Sequence, residues 1–187
     1  MNTKPTSWSA ETYTQTYWFA AEAHQGGQIK GSTLPYIVHP SLVAMEVIAA
    51  LRSEPGHDEE LAVQCAPPHD VLEDTAVTFE QVRKRFGEVV AAGVLALSKD
   101  EAVPKEQQIS DSLRRIQQQP DEIWMVKLAD RISNLIPPPA DWTPERIHHY
   151  WQDAHEIHAA LQQASPYLAQ RLASKIDAYR RFLQTPA

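Results

Sequence analysis

An all-α fold is what this sequence predicts, and three observations carry that expectation. Apolar residues recur at three- and four-residue steps through most of the chain. Proline-led helix starts stand at Thr143-Pro144 and Ser165-Pro166, each a capping residue followed by proline at the first helical position. No alternating apolar and polar run is longer than the short piece around Tyr36.

Taken in order, a first helix is expected over 10–25, where Tyr13, Tyr17, Ala20, Ala21 and His24 share a face, and Gly26-Gly27 end it. Residues 28–39, QIKGSTLPYIVH, have the composition of a loop or short extended piece and carry Lys30, Tyr36 and His39. Pro40 stands where a helix can begin, because the N–H it lacks would be unpaired there anyway, and an apolar run over 42–51 follows. A third helix from about Asp58 meets Pro67 and Pro68. An interior proline costs about 3 kcal/mol or more, so the helix either kinks or restarts. A restart would put Asp70 in a first turn, where the helix dipole favours an anion.

Thr78 and Gln81 give a capping-box signature for a short helix over 79–86, stopped at Gly87. Residues 89–97 read as a very apolar helix central to the core, and 98–104 as a polar connection. A polar surface helix is expected over 105–118, broken by Pro120. From Asp121 the pattern Ile123, Val126, Leu128, Ile132, Leu135 marks a core helix that also carries Lys127, Asp130 and Asn134, the last two on one face. Pro137, Pro138 and Pro139 terminate it. The two capped helices then run to about Gln163 and Leu183.

The 187 residues suffice for one domain, 1–187, and 43% hydrophobic with 22% charged residues is a globular balance. A formal charge of −7 repels nucleic-acid phosphates. The single cysteine, Cys65, excludes an internal disulfide, and residues 1–9 lack a signal-peptide pattern. No apolar run approaches the roughly 18 residues of a spanning helix. These features predict a cytoplasmic protein that binds neither membrane nor nucleic acid. The sequence leaves its oligomeric state open.

Polar groups that do not belong in an apolar core gather in a few places. In CAPPHDVLEDT, if helical at roughly 100° per residue, His69, Asp70, Glu73 and Asp74 fall on one face. Crowded carboxylates beside imidazole suit a divalent metal, and equally a solvated acidic face. Asp130, inside MVKLADRI, needs a cation if buried, either a metal or Lys127 or Arg131.

The stretches AEAHQGGQIKGSTLPYIVHP, HDVLEDT, FGEVV and VKLADRISNL resemble the hydrolase half of the RelA/SpoT proteins. The chain length is similar to that of the free-standing small alarmone hydrolases, including the animal SpoT homologues. The resemblance covers roughly residues 20–150. It implies an HD-domain fold, a Mn²⁺ held by His39, His69, Asp70 and Asp130, and an attacking water handled by Glu73 and Asp74. The implied reaction removes pyrophosphate from the 3′ position of an alarmone such as ppGpp or ppApp. Lys30, Lys105, and Arg146 with Tyr150 would then bind the phosphates and the nucleoside, with Tyr36 and Asn134 beside them.

Two departures stand out. Ile29 occupies a position where the family commonly has arginine, and Pro67-Pro68 replaces a plain aliphatic helix. Alternatives to the alarmone reaction are removal of the 2′-phosphate of NADPH and a nucleotide sensor without turnover. His148, His149, His155 and His158 lack acidic partners at ligand spacing and are expected on a helix surface. His24 matches a family position that is not a ligand, and is expected at the pocket rim or satisfied in the core. The five tryptophans are expected to fill core or interface space.

Overall fold

The computed structural model describes residues 7–183. Residues 1–6 and 184–187, part of the expected 1–187 domain, lie outside the described residues. Among the described residues ten α-helices follow one another. They are α1 (Ala10–Ala23), α2 (Val38–Ser53), α3 (Glu59–Cys65), α4 (Val71–Asp74), α5 (Phe79–Phe86), α6 (Glu88–Leu97), α7 (Gln108–Ile116), α8 (Asp121–Asn134), α9 (Pro144–Leu161) and α10 (Pro166–Tyr179). Extended pairing among the described residues is limited to an isolated antiparallel bridge from Gln28 to Pro35, so the fold is all-α.

Capping chemistry sets several starts as expected. Thr78 and Gln81 form a full capping box, while Thr143 and Ser165 accept the N–H of Arg146 and Leu168 ahead of their prolines. Gly87, at φ 90°, both ends α5 and opens α6, a left-handed conformation that a side chain would strain.

Elsewhere the boundaries differ from expectation. Pro40 is the third residue of α2 rather than its first, tolerated because the first four N–H groups of a helix lack intrahelical partners. His39 is thereby drawn inside the helix. The interruption at Pro67-Pro68 is a restart: α3 stops at Cys65, residues 66–70 turn, and α4 begins at Val71. Asp70 is the N-cap of α4 and not a first-turn residue, and the single helical face for His69 through Asp74 does not form. Three expected helices tighten into 3₁₀ turns, at Lys105–Gln107 before α7, Gln162–Ala164 after α9 and Arg180–Phe182 after α10.

The core is centred on α8, whose Ile123, Met125, Val126, Leu128, Ala129 and Ile132 are buried against α2, α3, α9 and α10. Helix α6, expected to be central, is buried on one side only: Val89 is 60% and Leu95 49% exposed. Gly93 lets it approach closely, since a Cβ there would stand 2.6 Å from Ile123 Cδ1 and 3.2 Å from Cys65 Sγ. Cys65 is fully buried, which pushes its thiol pKa up and leaves it inert. Trp8, Trp124, Trp142 and Trp151 pack against the core, whereas Trp18 is 63% exposed. Glu46 pairs with Arg171, and Glu54 accepts from Ser165 and the Tyr167 N–H, so α10 is tied along α2. Among the described residues no helix is long and apolar enough to cross a membrane.

Candidate metal centre and adjoining pocket

Three segments converge on one buried point. Helix α2 brings His39 from its first turn, the turn before α4 brings His69 and Asp70, and α8 brings Asp130 from its last two turns. All four are buried. One ligand-capable atom from each of His39, His69 and Asp70 lies within 4.8 Å of the others. Asp130 adjoins them, with Oδ1 3.3 Å from His39 Nε2 and 3.7 Å from His69 Nε2.

The surrounding hydrogen bonds aim these groups. His69 Nδ1 lies 2.9 Å from the Ala66 carbonyl, which holds a proton on Nδ1 and turns Nε2 toward the centre. The restart at Pro67-Pro68 supplies that carbonyl, because residue 66 sits in the turn and not within a helical ladder. Asp70 is gripped from two sides, by His24 Nε2 at 3.1 Å on Oδ1 and by the Tyr36 hydroxyl at 2.6 Å on Oδ2. Asp130 accepts from Lys127 Nζ at 3.0 Å and from Asn134 Nδ2 at 2.6 Å. Lys127 and the expected cluster therefore share one carboxylate. The salt bridge and the cluster geometry are thus compatible on Asp130.

Burial opposes charge throughout, yet the partners win. Burial disfavours ionised Asp70, but His69, His24 and Tyr36 hold it well below the usual carboxylate range. Asp130 is likewise held far down, against burial, by Lys127, His39 and His69. Burial also disfavours protonated His69, but Asp70 and Asp130 raise its pKa to about 9. Two ionised carboxylates thus face two imidazoles in a site whose field attracts positive charge. Imidazole Nε2 atoms and carboxylate oxygens in this arrangement fit a divalent metal.

Beside the cluster stand the two remaining acids. Asp74 Oδ2 lies 3.0 Å from the Tyr36 hydroxyl, and burial, with Asp70 and Glu73 nearby, raises its pKa despite that bond. Glu73 is bound by Lys99, through both the main-chain N–H and the ammonium. Sequence reading had no signal for Lys99, which follows the C-cap of α6 on a segment read only as a polar connection.

A cavity of about 290 Å³ opens next to the cluster and shares Tyr36 and His39 with it. Its lining includes Lys30, Asn134 and Tyr150, expected substrate-side residues, and also Trp142 and Tyr179, which were not. Ile29 lines it as well, so an apolar side chain stands where the resemblance suggested a cation. Lys105 and Arg146 are not among the lining residues. Lys105 sits exposed on its 3₁₀ turn, and Arg146 lies over the Trp142 ring at 4.3 Å. His24 is buried and satisfied by Asp70. Of the other histidines, His148, His149 and His155 are exposed on α9, while His158 is part-buried there.

A family model described as an HD domain matches residues 16–166. The guanosine-3′,5′-bis(diphosphate) 3′-pyrophosphohydrolase MESH1 of Xenopus tropicalis is 31% identical over 159 residues, 82% of this chain and 87% of that protein. MESH1 of Homo sapiens is 30% identical with the same coverage of both chains. The guanosine-3′,5′-bis(diphosphate) 3′-pyrophosphohydrolase of Aquifex aeolicus is 33% identical over 129 residues, 67% of this chain but 18% of that protein. A solved metazoan orthologue of SpoT, which hydrolyses ppGpp, superposes with a TM-score of 0.79 at 24% identity, over 96% of this chain and 100% of that one, a likeness of fold.

Proposed function

The chain belongs to the HD-domain family, and on that footing we propose that it is a metal-dependent hydrolase that removes the 3′-pyrophosphate of ppGpp. The observation that carries this reading is the junction of the His39, His69, Asp70, Asp130 cluster with the adjoining cavity through Tyr36 and His39. Relatives named for this activity are at least 30% identical over most of their length. A divalent ion held by those four residues, with Mn²⁺ as the proposed metal, would supply a lowered water pKa and positive charge for the phosphate oxygens.

The chain's own residues do the rest. Lys30 and the cavity wall of Tyr36, Asn134 and Tyr150 bind the nucleotide, and Lys105 and Arg146 supply charge from outside the lining. Glu73 and Asp74 orient the attacking water and accept its proton. The water oxygen bonds to the phosphorus carried on O3′, and the O3′–P bond breaks with its electron pair on O3′. That oxygen takes up a proton, and GDP and pyrophosphate leave. Net negative charge and the lack of a spanning helix among the described residues support a cytoplasmic enzyme acting on a small nucleotide.

The test is incubation of the purified protein with Mn²⁺ and ppGpp, ppApp or NADPH separately, with chromatographic identification of products. Pyrophosphate from ppGpp, abolished by chelator, is expected. Inorganic phosphate from NADPH without pyrophosphate from either alarmone would replace this reading, and tight ppGpp binding without turnover would make the protein a sensor.

A further inference from the structure

The two acids assigned to the water are held in unlike ways. Among the described residues Asp74 takes the Tyr36 hydroxyl. Glu73 is clamped by one residue from another element: the Lys99 main-chain N–H reaches Oε2 at 3.0 Å, and the Lys99 ammonium reaches Oε1 at 2.5 Å. Because Lys99 follows the end of α6, its backbone is anchored by a packed helix. Its side chain is 42% exposed, and the ammonium lies within electrostatic reach of Asp74, Asp130 and Tyr150. Lys99 is not among the residues lining the cavity, and it flanks the cluster on the side of Glu73.

Two consequences follow from that geometry. While the ammonium sits on Oε1, that oxygen is occupied and cannot take a proton from water. An ammonium has three donors, and an arriving diphosphate, with several negative charges, competes with a single carboxylate for them. The main-chain N–H would stay on Oε2 whichever way the side chain turns.

We propose that Lys99 is a phosphate-binding and positioning residue released by substrate. In the free protein its ammonium neutralises Glu73. When the 3′-diphosphate arrives, the ammonium turns to a phosphate oxygen, and Glu73, still held by the main-chain N–H, is left with Oε1 free. Glu73 then accepts the proton of the attacking water as the water oxygen bonds to phosphorus, while Asp74 and Tyr36 orient that water. The device also adds a cation to that of Lys30, from the Glu73 side of the cluster and not from the cavity lining to which Ile29 belongs. It deepens the hydrolase reading and rests on it.

The test combines kinetics on ppGpp in saturating Mn²⁺ with calorimetric titration of pyrophosphate. Lys99→Met keeps the main-chain clamp and removes only a partly exposed pair, which contributes little to stability. Its Glu73 needs no release, so KM is expected to rise by about tenfold or more while kcat stays within about threefold, with Lys99→Arg restoring KM. A purely structural clamp predicts the reverse. A fall in kcat at unchanged KM, or wild-type values for both, overturns the proposal. Glu73→Gln frees Lys99 and is expected to bind pyrophosphate about tenfold more tightly than wild type. That gain should vanish in Glu73→Gln/Lys99→Met. A gain that survives in the double variant is a general charge effect and also overturns the proposal. Failure of the wild type to release pyrophosphate from ppGpp would instead sink the hydrolase reading, and the pyrophosphate titrations would still decide the role of Lys99.

Discussion

The metal-type cluster and the aromatic wall of the cavity adjoin each other, yet they treat their buried polar groups in opposite ways. In the cluster each ligand side chain has a polar partner: Ala66 for His69, His24 and Tyr36 for Asp70, Lys127 and Asn134 for Asp130, and Asp130 for His39. In and behind the wall, Arg131 Nε and Nη1, Ser133 Oγ, Trp142 Nε1 and the Tyr179 hydroxyl are buried with no hydrogen-bond partner among the described residues. Arg131 has the Tyr150 ring instead, 4.4 Å from its guanidinium carbon. A buried polar group left unpaired costs about 1–3 kcal/mol. The cluster is thus organised by the protein's own groups, while the wall is held in place by aromatic packing and carries donors that no group among the described residues satisfies.

That contrast can be broken most sharply at the cluster. Asp70→Ala removes a proposed ligand and should lower turnover by about a thousandfold, the equivalent of several kcal/mol of lost transition-state stabilisation. Metal content measured on the purified variant should fall with it; full occupancy at normal turnover would remove Asp70 from the centre. One shell out, His24→Phe takes one of the two grips off Asp70. It should cost about 10- to 100-fold in metal affinity or activity, read by metal titration, and an unchanged affinity would mean that Tyr36 alone suffices. The smallest effect is expected in the wall. Tyr179→Phe deletes an unpaired hydroxyl and should raise the unfolding free energy by up to about 1 kcal/mol in denaturant titration. A loss of stability would show that the hydroxyl has a partner and that the two regions are alike.

Much of this was readable before folding was considered. Thr78, Thr143 and Ser165 announce helix starts because a capping side chain and its helix are local in sequence, and the face shared by Asp130 and Asn134 follows from helical spacing alone. The four converging side chains came from resemblance, since nothing in the spacing of positions 39, 69, 70 and 130 says that they meet. What stayed hidden depended on tertiary contact. Lys99 lies in a stretch with no pattern, and only the approach of α6 to α4 reveals its hold on Glu73. The double proline permitted either a kink or a restart, and the choice turns on how α3 and α4 pack. Trp18 shows the limit of composition: its residue type suits core and interface space alike, and only its place on α1 shows that it is exposed.

The cluster draws on α2, the turn before α4, and α8, so its members are separated by long lengths of chain. Contacts of that kind require loops to close before anything is gained, and they form late when a chain folds. A coloured or paramagnetic ion substituted at this point would therefore report completed folding, not the appearance of helices. The same topology bears on cleavage. A protease cut in the exposed stretch from Lys99 to Glu101 would separate the covalent pieces bearing His39, His69 and Asp70 from the piece bearing Asp130, and a bound ion would be one of the links still joining them.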